Sequence, residues 1–456
     1  MILKHLPKRH ALLFLGDLII VALLHFLAPS IRFGTLTVEV VKPSPGWIAI
    51  IVIYLFAFYT SNLYDFDAKF KSPKYVFRFL IGIALGAAIV TMLFFFVPSF
   101  QHGSYGRGVF LINVCLLGIL SYSWRLGFES IFRGFLGRQK KIIIVGAGHA
   151  GKALFEVLKN NPDYRVVGFI DDDPDRQDIL NSPRILGGCA ILEEMITAHK
   201  VDSVVLSITH MKDQALLRAT MHSKMEGIHV YNMPDFYEEV TGKLPIEHVD
   251  DLWFVNTPMA GVRSSIYTRK GKKMLDITCS TIGLLLCLPF IIAVAIAIKL
   301  DSKGPVLYRQ MRVGLNGKPI NILKFRSMRL DAEGKKAVWA EKSDPRVTRV
   351  GRFIRKTRMD EIPQMWNVLK GNMSFIGPRP ERPEFVEILK EKIPYYFLRH
   401  SIKPGITGWA QVNFPFGASN EDALEKLLYD FFYIKNLTPL LDFHILVMTM
   451  RMILLG

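Results

Sequence analysis

Five long apolar stretches constrain this chain more than any other feature. Four lie in the N-terminal third, at about 11–29, 47–63, 76–97 and 108–126, and a fifth runs from about 274 to 298. A helix rises about 1.5 Å per residue and bilayer hydrocarbon is about 30 Å thick, so each run is near the length that crosses it. Half of the 456 residues are hydrophobic and mean hydropathy is positive. Lys4, Lys8 and Arg9 precede the first run, and no A-x-A-like cleavage site follows it, so it reads as a retained membrane helix. Basic residues then orient the helices. Lys69, Lys71, Lys74 and Arg78 lie in the second loop, and Arg125, Arg133, Arg138, Lys140 and Lys141 at or after the end of the fourth run. By the positive-inside rule, both ends of a four-helix domain, residues 1–138, face the cytoplasm.

The formal net charge is +17. That excess suits an anionic membrane surface or a polyphosphate substrate. No zinc-finger spacing or RNA-binding signature accompanies it, so nucleic acid is not an expected partner. Cys115, Cys189, Cys279 and Cys287 are scattered and form no CxxC pair, and no HExxH occurs, which argues against a zinc hydrolase.

Residues 139–262 change character. Lys141–Val145 reads as a buried strand running into Gly146-Ala-Gly148-His-Ala-Gly151 and a helix. A second strand, 166–170, ends on Asp171, and 201–207 is a third. Strands alternating with helices predict a parallel α/β sheet of the Rossmann-like kind. In a dinucleotide fingerprint Gly146 would make the tight turn, Gly148 would let the backbone approach a phosphate, Gly151 would pack helix on strand, and Asp171 would bind a ribose. Such modules also persist without a nucleotide, so a bound nucleotide and an empty regulatory fold both stay open.

The fifth run contains Pro289 and is basic on both flanks, with Arg263, Arg269, Lys270, Lys272 and Lys273 before it and Lys299, Lys303, Arg309 and Arg312 after it. Proline removes a helical hydrogen bond and bends the chain. A re-entrant helix over 274–298 and a kinked crossing are equally compatible with composition. Only the re-entrant form keeps the rest of the chain on the cytoplasmic side with nucleotide substrates.

Three clusters follow. The first holds Asp301, Arg309, Arg312, Lys324 and Arg326. The second runs from Arg352 and Arg355 through Asp360-Glu361-Ile-Pro-Gln364-Met-Trp-Asn367 to Gly377-Pro378-Arg379-Pro380. The third is Lys403-Pro-Gly405-Ile-Thr-Gly408-Trp409, followed by Tyr429-Asp430-Phe-Phe-Tyr433. Adjacent Asp-Glu pairs are common surface features, and helical neighbours diverge by about 100°, so they need not act together. Here the pair stands among many cations. Arginine forks hold phosphate oxygens, a carboxylate-bound Mg²⁺ neutralises phosphate charge, and a carboxylate can itself attack phosphorus.

These clusters resemble the polyprenyl-phosphate hexose-1-phosphate transferases, or monotopic phosphoglycosyl transferases, over about residues 270–456. The run from Asp360 to Pro380 carries the resemblance, and the four-helix and Rossmann-like front half is similar to the large members that start exopolysaccharide or O-antigen repeat units. The resemblance implies a catalytic domain over 263–456 with a re-entrant helix broken at Pro289. It implies Asp360 as nucleophile on a UDP-sugar, Glu361 as partner and Mg²⁺ ligand, Arg355 and Arg379 as phosphate contacts, Lys324 and Arg326 as supports of the anionic site, and Gln364 and Pro378 in the substrate-binding motif. The product would be a sugar phosphate on polyprenyl (undecaprenyl) phosphate, with glucose or galactose as the expected sugar. It also implies location in the bacterial inner membrane with the catalytic domain on the cytoplasmic face; a homodimer through the middle module is a further expectation. Arg358-Met359 and Asn372 depart from the family pattern, as does Leu288 before the proline. Two other classes compete. A membrane-anchored nucleotide-sugar dehydratase or epimerase would need a second catalytic Rossmann domain after residue 260, and a sensor or scaffold would make Asp360 dispensable.

Overall fold

The structure, a computed structural model, describes residues 8–34, 45–61, 63–64, 70–96, 107–135, 139–173, 185–208, 214–249, 251–329, 346–414, 417 and 419–455. Lys4, Lys69 and Arg138, used above to orient the helices, lie outside these residues. The chain divides into two compact units, 1–138 with 450–456, and 139–449.

The first unit is built on α1 (Lys8–Phe33), α2 (Pro45–Thr60), α3 (Pro73–Phe96) and α4 (Arg107–Phe135). Leu13, Leu24, Tyr54, Phe58, Phe79 and Leu117 fill its interior, while Leu23, Phe95 and Leu111 face outward. Helices apolar on both sides need an apolar surrounding. Three of the four are long and apolar enough to span one, and α2 is a shorter apolar helix with 16 described residues. Inside the bundle Arg125 donates two 2.8 Å hydrogen bonds to Asp17, and further ones to Tyr75 Oη and the Ser121 carbonyl. Both charges are fully buried.

The second unit begins with a five-stranded parallel sheet in the order β3-β2-β1-β4-β5, formed by β1 (Lys140–Val145), β2 (Tyr164–Ile170), β3 (Ile185–Gly187), β4 (Ser203–Leu206) and β5 (His229–Asn232). Helices α5 (His149–Lys159), α6 (Leu192–His199), α7 (Gln214–Met225) and α8 (Met233–Thr241) connect or follow the strands. The buried stretches 142–145 of β1 and 204–206 of β4 are apolar because helices cover both sheet faces. The order 3-2-1-4-5 is that with which doubly wound nucleotide folds begin. A short helix, α9 (Asp251–Asn256), leads on to α10 (Lys272–Asp301), one continuous helix with Pro289 inside it. The expected division of this run into two helices is not seen.

The remainder is mixed. An antiparallel hairpin pairs β6 (Leu307–Val313) with β7 (Pro319–Phe325). After it come α11 (Arg349–Lys356), α12 (Gln364–Leu369), β8 (Ser374–Ile376), α13 (Pro383–Lys392), β9 (Gly405–Thr407), α14 (Trp409–Asn413), α15 (Asn420–Lys435) and α16 (Pro439–Leu455). Thr348 caps α11, and Ser419 with Asp422 forms a capping box on α15. The sheet module rests on α15. Lys435 reaches Glu238 at 2.5 Å and Asp235 at 3.2 Å, Asn436 donates to Glu238, and Trp409 donates to the Gly242 carbonyl at 2.9 Å.

Candidate active site

Asp360 and Glu361 lie on a single 3-10 turn, Met359–Glu361, entered from Arg358 in the left-handed region at φ 59°. The turn packs against β7 and the end of α11. There Val294, Ile298, Phe325 and Ile354 form an apolar cluster that takes in Met359 and Ile362. The two carboxylates are therefore fixed between apolar supports, and their environments differ sharply.

Glu361 is tied down. Arg379 donates to it at 2.6 and 3.3 Å, and Lys324 at 2.9 Å. Burial opposes its ionisation, but Arg379 and Lys324 outweigh burial and hold its carboxyl well below the usual range. Asp360 is also buried, yet its carboxylate takes no hydrogen bond among the described residues. Burial pushes its pKa up, Glu361 beside it adds to the rise, and Lys324, Arg355 and Arg379 pull the other way. One carboxylate is permanently charged and occupied; the other is poised and open. Arg355, one helical turn before the dyad, is aimed by a 2.8 Å hydrogen bond from Nε to Ser327 Oγ.

Residues 267–456 match the family described as bacterial sugar transferase, and residues 33–234 match one described as CoA-binding domain. The chain is 36% identical over 327 residues to the UDP-glucose:undecaprenyl-phosphate glucose-1-phosphate transferase of Escherichia coli, covering 68% of this chain and 67% of that one. It is 32% identical over 354 residues to the like-named protein of Klebsiella pneumoniae, covering 74% and 73%. The chain belongs to the bacterial sugar transferases. It is also 44% identical over 229 residues to the UDP-N-acetylgalactosamine-undecaprenyl-phosphate N-acetylgalactosaminephosphotransferase of Aeromonas hydrophila, over 50% of this chain and 53% of that one. The matched part is thus about half the length of that relative. Family membership makes the chain a polyprenyl-phosphate sugar-1-phosphate transferase by kind.

The transferase distributes the other expected residues unevenly. Lys324, Arg355 and Arg379 act electrostatically on the dyad. Gln364 begins α12 and is buried. Arg326, expected to support the anionic site, instead binds the Ser302 and Lys303 carbonyls and Ser302 Oγ at 2.7–3.0 Å, closing the turn after α10. Pro378 contributes its carbonyl, which accepts the Gly405 N–H at 2.9 Å. The third sequence cluster explains itself here: β9 pairs in parallel with β8, and a Cβ on Gly405 would lie 2.0 Å from the Gly377 nitrogen. Gly405 lets one strand press on the turn that carries Arg379.

In the sheet module Gly146 has φ 103°, and a Cβ on Gly151 would meet the Gly146 carbonyl at 2.0 Å, so the turn and the close packing are as expected. Gly148 precedes α5 in an extended conformation. Asp171, the expected ribose ligand, accepts hydrogen bonds from the chain itself, Ala147 N–H at 2.6 Å and Asp173 N–H at 3.0 Å.

For Mg²⁺ the donor set is thin. Among the described residues no group of three or more His, Cys, Asp or Glu side chains comes together. Glu361, the carboxylate expected to hold the ion, already accepts hydrogen bonds from Arg379 and Lys324. Ser327, Arg399, Asp430 and Tyr433 are parts of the site's framework that motif reading left without a role. Only their position inside or beside the motifs pointed to them.

Proposed function

We propose that the transferase moves a hexose-1-phosphate from a UDP-sugar to polyprenyl (undecaprenyl) phosphate through a covalent phosphosugar on Asp360, starting exopolysaccharide or O-antigen repeat-unit synthesis. The observation that carries this reading is the division of the dyad. Glu361 is saturated by two cations, while Asp360, with no hydrogen-bond partner among the described residues, can approach phosphorus.

In the first step an Asp360 oxygen forms a bond to the β-phosphorus, and the bond from that phosphorus to the bridging oxygen breaks. UMP leaves with both electrons of the broken bond. In the second step an oxygen of polyprenyl phosphate attacks the same phosphorus, the acyl phosphate bond breaks, and the carboxylate of Asp360 returns. Lys324, Arg355 and Arg379 stabilise the charge that gathers on the phosphoryl oxygens. Mg²⁺ held through Glu361 and the diphosphate would add neutralising charge, and Glu361 would have to give up a hydrogen bond from Arg379 or Lys324 to take it. The names of the relatives support undecaprenyl phosphate as acceptor and glucose or N-acetylgalactosamine as the sugar.

The placement of α10 supports a re-entrant rather than a crossing helix, with the catalytic domain on the cytoplasmic side of the inner membrane. Near its start, Asp276 accepts Ser374 Oγ and Phe375 N–H, both at 2.8 Å. Near its end, Val294 and Ile298 pack with Phe325 and Ile354, and Asp301 accepts Val350 N–H. A crossing helix would separate its ends by about 30 Å of hydrocarbon, yet one polar domain grips both. A nucleotide at the Gly146–Gly151 loop would find Asp171 already held by Ala147 and Asp173 N–H, with lone pairs left to accept a ribose hydroxyl.

The test is UMP release by the purified full chain with polyprenyl phosphate, Mg²⁺ and UDP-glucose, UDP-galactose or UDP-N-acetylgalactosamine. Wild type should release UMP with at least one of them and form a sugar-phosphate adduct on Asp360. Asp360→Asn should do neither. Full transfer by Asp360→Asn would refute the covalent route.

A further inference from the structure

The motif Tyr429-Asp430-Phe-Phe-Tyr433 has no part in the chemistry so far. It lies on α15, and both Asp430 and Tyr433 are only 1% exposed. Asp430 accepts a 2.7 Å hydrogen bond from Arg399 Nη2. The same nitrogen lies 3.1 Å from the Arg379 carbonyl, and Nη1 of Arg399 donates to Tyr396 Oη at 2.6 Å. Tyr433 Oη lies 3.3 Å from the Ile376 carbonyl and donates to Asp442 at 2.6 Å. The helix thus holds the segment 376–379 at both ends, Ile376 through Tyr433 and Arg379 through Arg399. The guanidinium of Arg379 points the other way, onto Glu361.

We infer that Asp430 and Arg399 are positioning residues of the transfer reaction: a buried ion pair that fixes the main chain of Arg379 so that its guanidinium meets Glu361 in one geometry. This rests on the reading of Asp360 and Glu361 as the reacting dyad. Stability alone is a poor reason for such a pair. Burying two charges carries a desolvation penalty that a well-packed apolar pair avoids, and burial pushes Asp430 up to about 6. What an apolar pair could not supply is a donor for the Arg379 carbonyl. Pro378 and Pro380 flank Arg379 and stiffen the turn, and β9 supports it from the other side. The main chain of this turn is left with little freedom, and Arg399 holds the Arg379 peptide from which the guanidinium reaches Glu361.

The experiment uses the full chain, with the UDP-sugar that wild type turns over, and counts active sites by trapping labelled sugar phosphate on Asp360 without acceptor. Asp430→Asn and Arg399→Lys should lower kcat per trapped site by about 10–100-fold, the usual cost of losing a supporting hydrogen bond at a site, with KM for the UDP-sugar within about threefold. Asp430→Glu, which keeps the charge, should recover part of the loss. If the pair only stabilises the fold, the number of trapped sites falls and kcat per site does not. Values of kcat per site within twofold of wild type would overturn the proposal. Should Asp430→Asn fail to fold, Arg399→Lys decides, since it keeps a cation opposite Asp430 but cannot bridge three acceptors. A wild type that releases no UMP overturns the transferase reading and the positioning role with it. A wild type that transfers, with variants unimpaired per site, overturns the positioning role alone.

Discussion

Replacing Lys324 with methionine should displace the acid limb of UMP release toward higher pH by about one unit. Lys324 donates to Glu361 at 2.9 Å, and a hydrogen bond to a charged group is worth about 1.5–3 kcal/mol. At about 1.4 kcal/mol per pK unit, losing it raises Glu361 by roughly one to two units. Glu361 starts well below the usual range and keeps Arg379 at 2.6 Å, so it stays ionised near neutrality. Asp360 then keeps the neighbour that raises it and loses a cation that lowers it. Lys324 acts on Asp360 through space, without a hydrogen bond between them, and at an effective dielectric of about 20 such a charge pair contributes on the order of 2 kcal/mol. Water and counter-ions take part of that, which leaves about one pK unit. The sign follows from which form reacts. The carboxylate attacks, so the rate is lost as pH falls through the folded-state pKa, and a higher pKa moves that loss upward. The assay is single-turnover UMP release across pH at constant Mg²⁺, wild type against Lys324→Met. The variant should be slower at every pH, because Lys324 also stabilises phosphoryl charge, and should trail by about a further tenfold on the acid side. A uniform drop with no displacement, or a displacement toward acid, would refute the electrostatic argument.

Two further outcomes follow from packing. Gly405→Ala places a methyl group against the Gly377 backbone nitrogen, and forcing apart β8 and β9 should cost about 1–3 kcal/mol; thermal unfolding of the full chain should show the loss, and an unchanged midpoint would contradict the close approach. Asp17→Asn leaves the fully buried Arg125 without its counter-charge, for which about 3–5 kcal/mol is expected. The measurement is protease resistance of residues 8–135, and resistance equal to wild type would show that the pair does not hold the helices together.

The parts of this molecule legible in the sequence are those encoded locally. The apolar runs, the strand-glycine-helix order of residues 140–159 and the position of Asp360-Glu361 in its motif all depend on near neighbours. What escaped depends on long-range pairing. Arg326 sits two residues from Lys324, and alternation along a strand says only that both face one side. The strand ends at Phe325, and Arg326 belongs to the turn after α10. Asp171 stands where a ribose ligand would, but the hydrogen bond to Ala147 links positions 24 residues apart. The pair Arg399–Asp430 joins positions 31 residues apart, and Arg399 lies outside the motifs.

The dyad itself turns on a point of geometry. Neighbours on an α-helix diverge by about 100°, and on a 3-10 turn by about 120°, since that turn has about three residues. For a metal clamp that needs both carboxylates on one ion such divergence is an obstacle. For a nucleophile and a charge-holding partner it is the means of separating them. Arg358 at φ 59° brings the chain sharply into the turn, after which Glu361 points to Lys324 and Arg379 while Asp360 stays clear of both hydrogen bonds. Pairs of titratable groups pushed apart in pKa by their surroundings take different chemical roles. Here one raised and one depressed carboxyl sit on consecutive residues. That contrast, rather than the adjacency of two acids, is what supports Asp360 as the proposed nucleophile.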